Sequence, residues 1–108
     1  MALHMKRFSF GAAGQEAKLH TAVQFPINDL NLSAFGTFEE NPAPIYDLYA
    51  IANHIGGGGG GGHYTAVCKN FDSNKWNEFD DTRVSSLDFR PEACARTCYL
   101  LFYKRQDV

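Results

Sequence analysis

The chain has little of what would assign a protein to a special class at sight. Its longest apolar run near the C-terminus, Tyr99-Leu100-Leu101-Phe102-Tyr103, is far short of the roughly 20 residues a membrane helix needs. No basic-then-apolar N-terminal stretch with a cleavage site is visible, so no secretory signal is expected. Cysteine is scarce: Cys68, Cys94 and Cys98 are odd in number and lack paired metal-ligand spacing. That usage favours a reducing compartment and an intracellular protein, cytoplasmic and/or nuclear. Charge of one sign is missing too, the formal net being −2 with acids and bases spread along the chain. Neither nucleic acid nor a membrane is expected as a partner.

What is present is globular in character. Hydrophobic residues make up 44% and aromatics 14% of 108 residues, which fits one small domain or a piece of a larger one. Leu3 to Phe10 alternates loosely and reads as a strand. Residues 11–15 (Gly-Ala-Ala-Gly-Gln) read as a turn or flexible loop, Gln24 to Ile27 as a short extended piece, and Glu39 to Pro44 as a connecting loop. Strands are expected over Ile45–Ala52, His63–Lys69, Lys75–Asp80 and Arg96–Lys104, all rich in β-branched or aromatic residues. Only Pro91 to Ala95 suggests a helical turn. These segments predict an antiparallel sheet built from consecutive hairpins.

Between the first two of those four strands lies a run of seven glycines, residues 56–62, ending on His63. Such a run reads either as a plain linker or as a loop that lets another backbone pass close to a titratable group. A hairpin turn centred near Asp72 would place His63 opposite Asp80 or Asp81, with Cβ atoms roughly 5 Å apart. A carboxylate there could hold one imidazole nitrogen and leave the other to take a proton from a nucleophile. The plainer alternative is a surface ion pair. Metal binding by His54, His63 and Cys68 finds no support in their spacing, and no metal site is expected.

At these residues the chain resembles a known family. GGHYTAVCKN, KWNEFDDTRV and CYLLFYKR, preceded in order by LHMKRFSF, VQFPIND and YDLYAIANH, are similar to the end of the catalytic domain of ubiquitin-specific proteases. These ubiquitin carboxyl-terminal hydrolases are deubiquitinating cysteine peptidases. The resemblance covers nearly the whole chain apart from residues 31–43. It implies an α+β fold of the papain-like cysteine protease superfamily, with this chain forming mainly the antiparallel sheet. It implies cleavage after the C-terminal glycine of ubiquitin by a Cys–His–Asp/Asn triad, with no cofactor. His63 resembles the general base, Asp80 the residue that orients it, and Asp81 a supporting second acid. Phe8 and Tyr64 match aromatic positions along the channel for the ubiquitin tail. Gly61 and Gly62 belong to the loop that gates it, and residues 11–15 resemble a second gating loop.

Seven glycines in a row depart from the family pattern, in which glycine is mixed with other residues; Val67, Asn77 and Cys98 are lesser departures. The family's nucleophile lies on a helical lobe upstream of the LHMKRF strand. Residues 1–108 therefore read as the C-terminal part of a catalytic domain whose nucleophile-bearing N-terminal lobe is a missing partner. Cys68 lies five residues along a strand from His63, roughly 17 Å of extended chain, too far to share a proton. Ubiquitin and ubiquitinated proteins are the expected partners, and the chain alone is expected to be inactive. The alternative is a non-catalytic ubiquitin-binding remnant. Trp76, Tyr99, Leu101 and Tyr103 are expected in the core.

Overall fold

The computed structural model describes residues 1–37, 39, 43–56, 61–86 and 90–107. The strands in chain order are β1 (Ala2–His4), β2 (Phe8–Phe10), β3 (Glu16–Lys18), β4 (Leu30–Asn31), β5 (Ile45–Ile55), β6 (His63–Lys69), β7 (Trp76–Asp80), β8 (Arg83–Ser85) and β9 (Cys98–Arg105). Single turns of 3-10 helix occupy Ser33–Phe35 and Pro91–Cys94. The expected loop at residues 39–44 lies partly outside the described residues, at 40–42.

Strand β5 is the spine. Its eleven residues contain no proline, so every amide can join a ladder on either side. It pairs antiparallel with β6 on one edge and β9 on the other, and the sheet order is β1-β9-β5-β6-β7-β8, with β4 also on β5. Consecutive antiparallel pairing thus accounts for β4 to β8 and, in a separate sheet, for β2 and β3. The last strand instead returns into the middle, between β1 and β5, a crossover that local turn signals do not encode.

The expected strand from Leu3 to Phe10 is two strands in two sheets, because β2 pairs only with β3. The break falls at Arg7, whose side chain turns inward and is 3% exposed. Its guanidinium donates to the carbonyls of Cys98 (2.6 Å), Thr21 (2.8 Å), Ala95 (3.0 Å) and Leu19 (3.1 Å). A buried charge needs such partners, since desolvation without them costs several kcal/mol, on the order of what a whole hydrophobic side chain contributes. Arg7 therefore ties the β2–β3 hairpin to the segment entering β9.

One face of the main sheet carries the core: Leu48, Ile51, Val67, Cys98, Leu101 and Tyr103, with Cys94 from the second 3-10 turn. Val23, Phe25, Ile27, Leu30 and Trp76 pack against it, half-buried. Each fully buried aliphatic side chain contributes about 1.5–3 kcal/mol. The Tyr103 hydroxyl donates to the Pro26 carbonyl at 2.8 Å, and burial pushes its pKa up to about 12.

Two irregularities of register reset the alternation between the faces. On β5 the pairing with β9 skips Tyr49, and on β9 it skips Tyr99. A bulged residue breaks the strict in–out period and re-aims the side chains beside it. Tyr99, expected in the core, is consequently half-buried among the rings of His4, Phe8, His54 and Tyr64.

Candidate active site

The glycine run is the loop of the β5–β6 hairpin. Ile55 pairs with His63 as the last rung, and residues 56–62 span the gap. Residues 57–60, on which much of the expected gating loop falls, lie outside the described residues. Gly56 and Gly62 have φ of 106° and 135°, values that strain any residue with a Cβ. At Gly62 space is closed as well, for a Cβ there would stand 2.3 Å from Nε2 of His54.

Across β6 the partner is β7. Pairing runs Ala66 with Phe79 to Lys69 with Trp76, and continues in the backbone bond from Asn70 N–H to the Lys75 carbonyl, 2.8 Å. The turn is therefore Phe71–Asn74, closed by Asn74 at φ 58°, and its centre lies past Asp72. This register differs from the expected one: continued outward, it sets Thr65 rather than His63 beside Asp80. His63 still shares a face with Asp80, because both lie an even number of residues from that rung. Reaching along the diagonal, His63 Nε2 meets Asp80 Oδ1 at 2.5 Å.

The pair is open to solvent, with side chains 44% and 37% exposed. The hydrogen bond to Asp80, helped by the negative charge of Asp80 and Asp81, raises the His63 pKa above its ordinary value. Asp81 occupies the two-residue turn between the paired Asp80 and Arg83, at φ 52°. Donor atoms of His63, Asp80 and Asp81 all lie within 4.8 Å of one another, close enough to meet a cation, which would have to displace the His63–Asp80 hydrogen bond.

Phe8, Gly61, Gly62 and Tyr64 come together around a residue that sequence reasoning weighed only as a metal ligand, His54. Its ring lies 5.6 Å from Phe8 and 4.9 Å from Tyr64, both edge-on. Tyr64 remains 59% exposed. His54 pairs with Tyr64 across the hairpin, so its place beside this surface follows from β5 running on past Ala52, where the sequence reading ended it. Lys18 also enters here, its Nζ donating to the His54 carbonyl at 2.5 Å.

The three cysteines are poor partners for His63. Cys68 alternates with Val67 and so faces the other side of the sheet. Cys94 and Cys98 are buried. Burial raises the thiol pKa of Cys68 and of Cys94, which keeps them protonated and poorly nucleophilic. Among the described residues no helix is long and apolar enough to cross a membrane.

The sequence pattern of the family described as "Ubiquitin carboxyl-terminal hydrolase" matches residues 1–103. Human "Ubiquitin carboxyl-terminal hydrolase 15" is 46% identical over 109 residues, covering 100% of this chain and 11% of that protein. "Ubiquitin carboxyl-terminal hydrolase 12" of Saccharomyces cerevisiae is 47% identical over 106 residues, 96% of this chain and 8% of its own length. The chain thus spans about a tenth of the curated relatives it matches. Among solved structures, the "SAGA Ubp8/Sgf11/Sus1/Sgf73 DUB module bound to ubiquitin aldehyde" superposes with a TM-score of 0.83 at 32% identity, covering 99% of this chain and 24% of the matched one. The fold is the antiparallel-sheet portion of a papain-like cysteine protease, and the chain belongs to the ubiquitin carboxyl-terminal hydrolase family, whose members are cysteine-type deubiquitinases.

Proposed function

We propose that residues 1–108 form the C-terminal part of a deubiquitinase catalytic domain, in which His63 is the general base and Asp80 its orienting acid. The observation that carries this reading is the 2.5 Å hydrogen bond between His63 Nε2 and Asp80 Oδ1 at the mouth of a glycine-closed hairpin. With Nε2–H donating to the carboxylate, Nδ1 is left with a free lone pair. That nitrogen takes the proton of a cysteine thiol, and Asp80 stabilises the imidazolium that results. The thiolate attacks the carbonyl carbon of the C-terminal glycine of ubiquitin. The proton then passes from Nδ1 to the departing amine, and water hydrolyses the acyl-enzyme through the same base.

None of Cys68, Cys94 and Cys98 is placed to supply the thiol, so the nucleophile comes from an N-terminal lobe outside this chain. The exposed Tyr64 ring, the half-buried Phe8 ring and the Gly61–Gly62 main chain that leads into His63 suit an extended, side-chain-poor peptide such as the ubiquitin tail. The complex of a relative with ubiquitin aldehyde supports that substrate. Ubiquitinated proteins are the corresponding macromolecular partners.

The test is hydrolysis of a fluorogenic ubiquitin substrate by the chain alone and by the chain joined to a nucleophile-bearing lobe of a relative. Activity is expected only in the joined protein, and His63→Ala is expected to lower it by about 10²–10⁴. Turnover by the isolated chain that depends on one of its own cysteines would overturn the reading. Ubiquitin binding without turnover in the joined protein would favour a non-catalytic binding role instead.

A further inference from the structure

We propose that His54 is a positioning residue, clamping the Gly61–Gly62 main chain and thereby setting where His63 stands against Asp80. This rests on the reading of His63 and Asp80 as base and orienter.

His54 is 4% exposed, walled in by Phe8 and Tyr64 with Tyr99 behind. Its Nδ1 is buried without a hydrogen-bond partner, while its Nε2 faces the Gly61–Gly62 main chain. Nε2 therefore carries the proton and turns it towards that main chain, since a bare acceptor is the smaller loss to leave orphaned at Nδ1. Burial, aided by the positive charge of Lys18, lowers the His54 pKa against the opposing pull of Glu16 and of the Gly61 backbone, which favours the same neutral ring.

A histidine kept only for packing would be better served by an apolar ring, which leaves no orphaned nitrogen. A donor at Nε2 facing the Gly61–Gly62 main chain is what the nitrogen atoms add. Gly62 shows how tight the contact is: a Cβ would meet Nε2 at 2.3 Å, Cε1 at 2.8 Å and the Ile55 carbonyl at 3.1 Å. His63 is the next residue along the chain, so the main chain that the ring holds is the one that carries the base. A misplacement on the order of 1 Å can cost about a hundredfold in rate. Through the Phe8 ring and the Lys18 bond to its carbonyl, His54 also ties the β2–β3 hairpin to the same point.

The test is NMR of the histidine rings and backbone amides in the 15N-labelled chain across a pH titration. His54 is expected to remain a neutral Nε2–H ring at pH values where His63 titrates. His54→Phe keeps an aromatic ring and removes the donor. It is expected to shift the Gly61 and Gly62 amide signals and to move the His63 midpoint down, towards that of Asp80→Asn. His54→Gln, which restores a donor, should return both part of the way. Gly62→Ala, outside the core, should displace the same main chain and lower the same midpoint, and stands in if His54→Phe does not fold. A folded His54→Phe or Gly62→Ala chain with unmoved Gly61 and His63 signals would overturn the clamp. If Asp80→Asn itself leaves the His63 midpoint in place, the base–orienter reading fails, and the Gly61–Gly62 amides in His54→Phe alone decide for or against the clamp.

Discussion

Two histidines stand at the mouth of one hairpin, and their surroundings drive them in opposite directions. His54 pairs with Tyr64 and His63 with Ile55 on adjacent rungs, so their side chains leave opposite faces of the sheet. His63 is solvent-facing, bonded to a carboxylate, and its pKa is raised. His54 is buried among aromatic rings beside a lysine, and its pKa is lowered. Residue type and sequence neighbourhood are nearly the same; solvent access and the nearest charge make the difference. One ring is equipped to exchange protons and the other to keep one.

The sharpest way to break that contrast is catalytic. In the joined enzyme, His63→Ala should lower kcat by about 10²–10⁴, the range for loss of a general base. His54→Gln should cost far less and act mainly through placement. Equal losses in the fluorogenic assay would erase the distinction between base and clamp.

Stability should divide the two residues the other way. His54→Ala empties a buried ring site and should lower the unfolding free energy by about 2 kcal/mol, at the low end for large-to-small core changes. His63→Ala should leave the urea midpoint nearly where it was. A chemical denaturation series on the two variants reads this directly.

The pH dependence separates them by sign. His63 has a raised folded-state pKa, so its stabilising contribution is fully present below the unfolded value of about 6.5 and is lost as pH rises through the folded value. His54 has a lowered folded-state pKa. Stability linked to it is complete above about 6.5 and declines as pH falls towards the folded value. Asp80→Asn should remove the first dependence and His54→Phe the second, each measured as denaturation midpoint against pH. The smallest effect belongs to Asp81, which acts on His63 by charge alone across exposed surface. Asp81→Asn should change the joined enzyme's activity by less than about tenfold, and added salt should shrink the difference.

Much of the hairpin was legible because its signals are local. β6 occupies the predicted His63–Lys69, and β7 begins one residue late at Trp76. Spacing brought His63 to the Asp80–Asp81 end of β7 but left the two acids open, and alternation turns that choice into a choice of face. The register itself was misread, since a turn of Phe71–Asn74 with Asn74 in the left-handed region differs from one centred on Asp72 by half a residue, which the composition does not distinguish. β3, β4 and β8 are two or three residues each, too short to show any period.

The sequence by itself determined the family, the glycine-closed hairpin and the approach of His63 to the Asp80–Asp81 end of β7, because these depend on neighbours in the chain or on motifs in a fixed order. The inward turn of Arg7, the passage of β9 beside β5, the bulge that brings Tyr99 to the aromatic side and the burial of His54 were decided only by the tertiary structure. Each depends on which distant segment supplies the facing carbonyls or rings, and packing selects that partner where local propensity is silent.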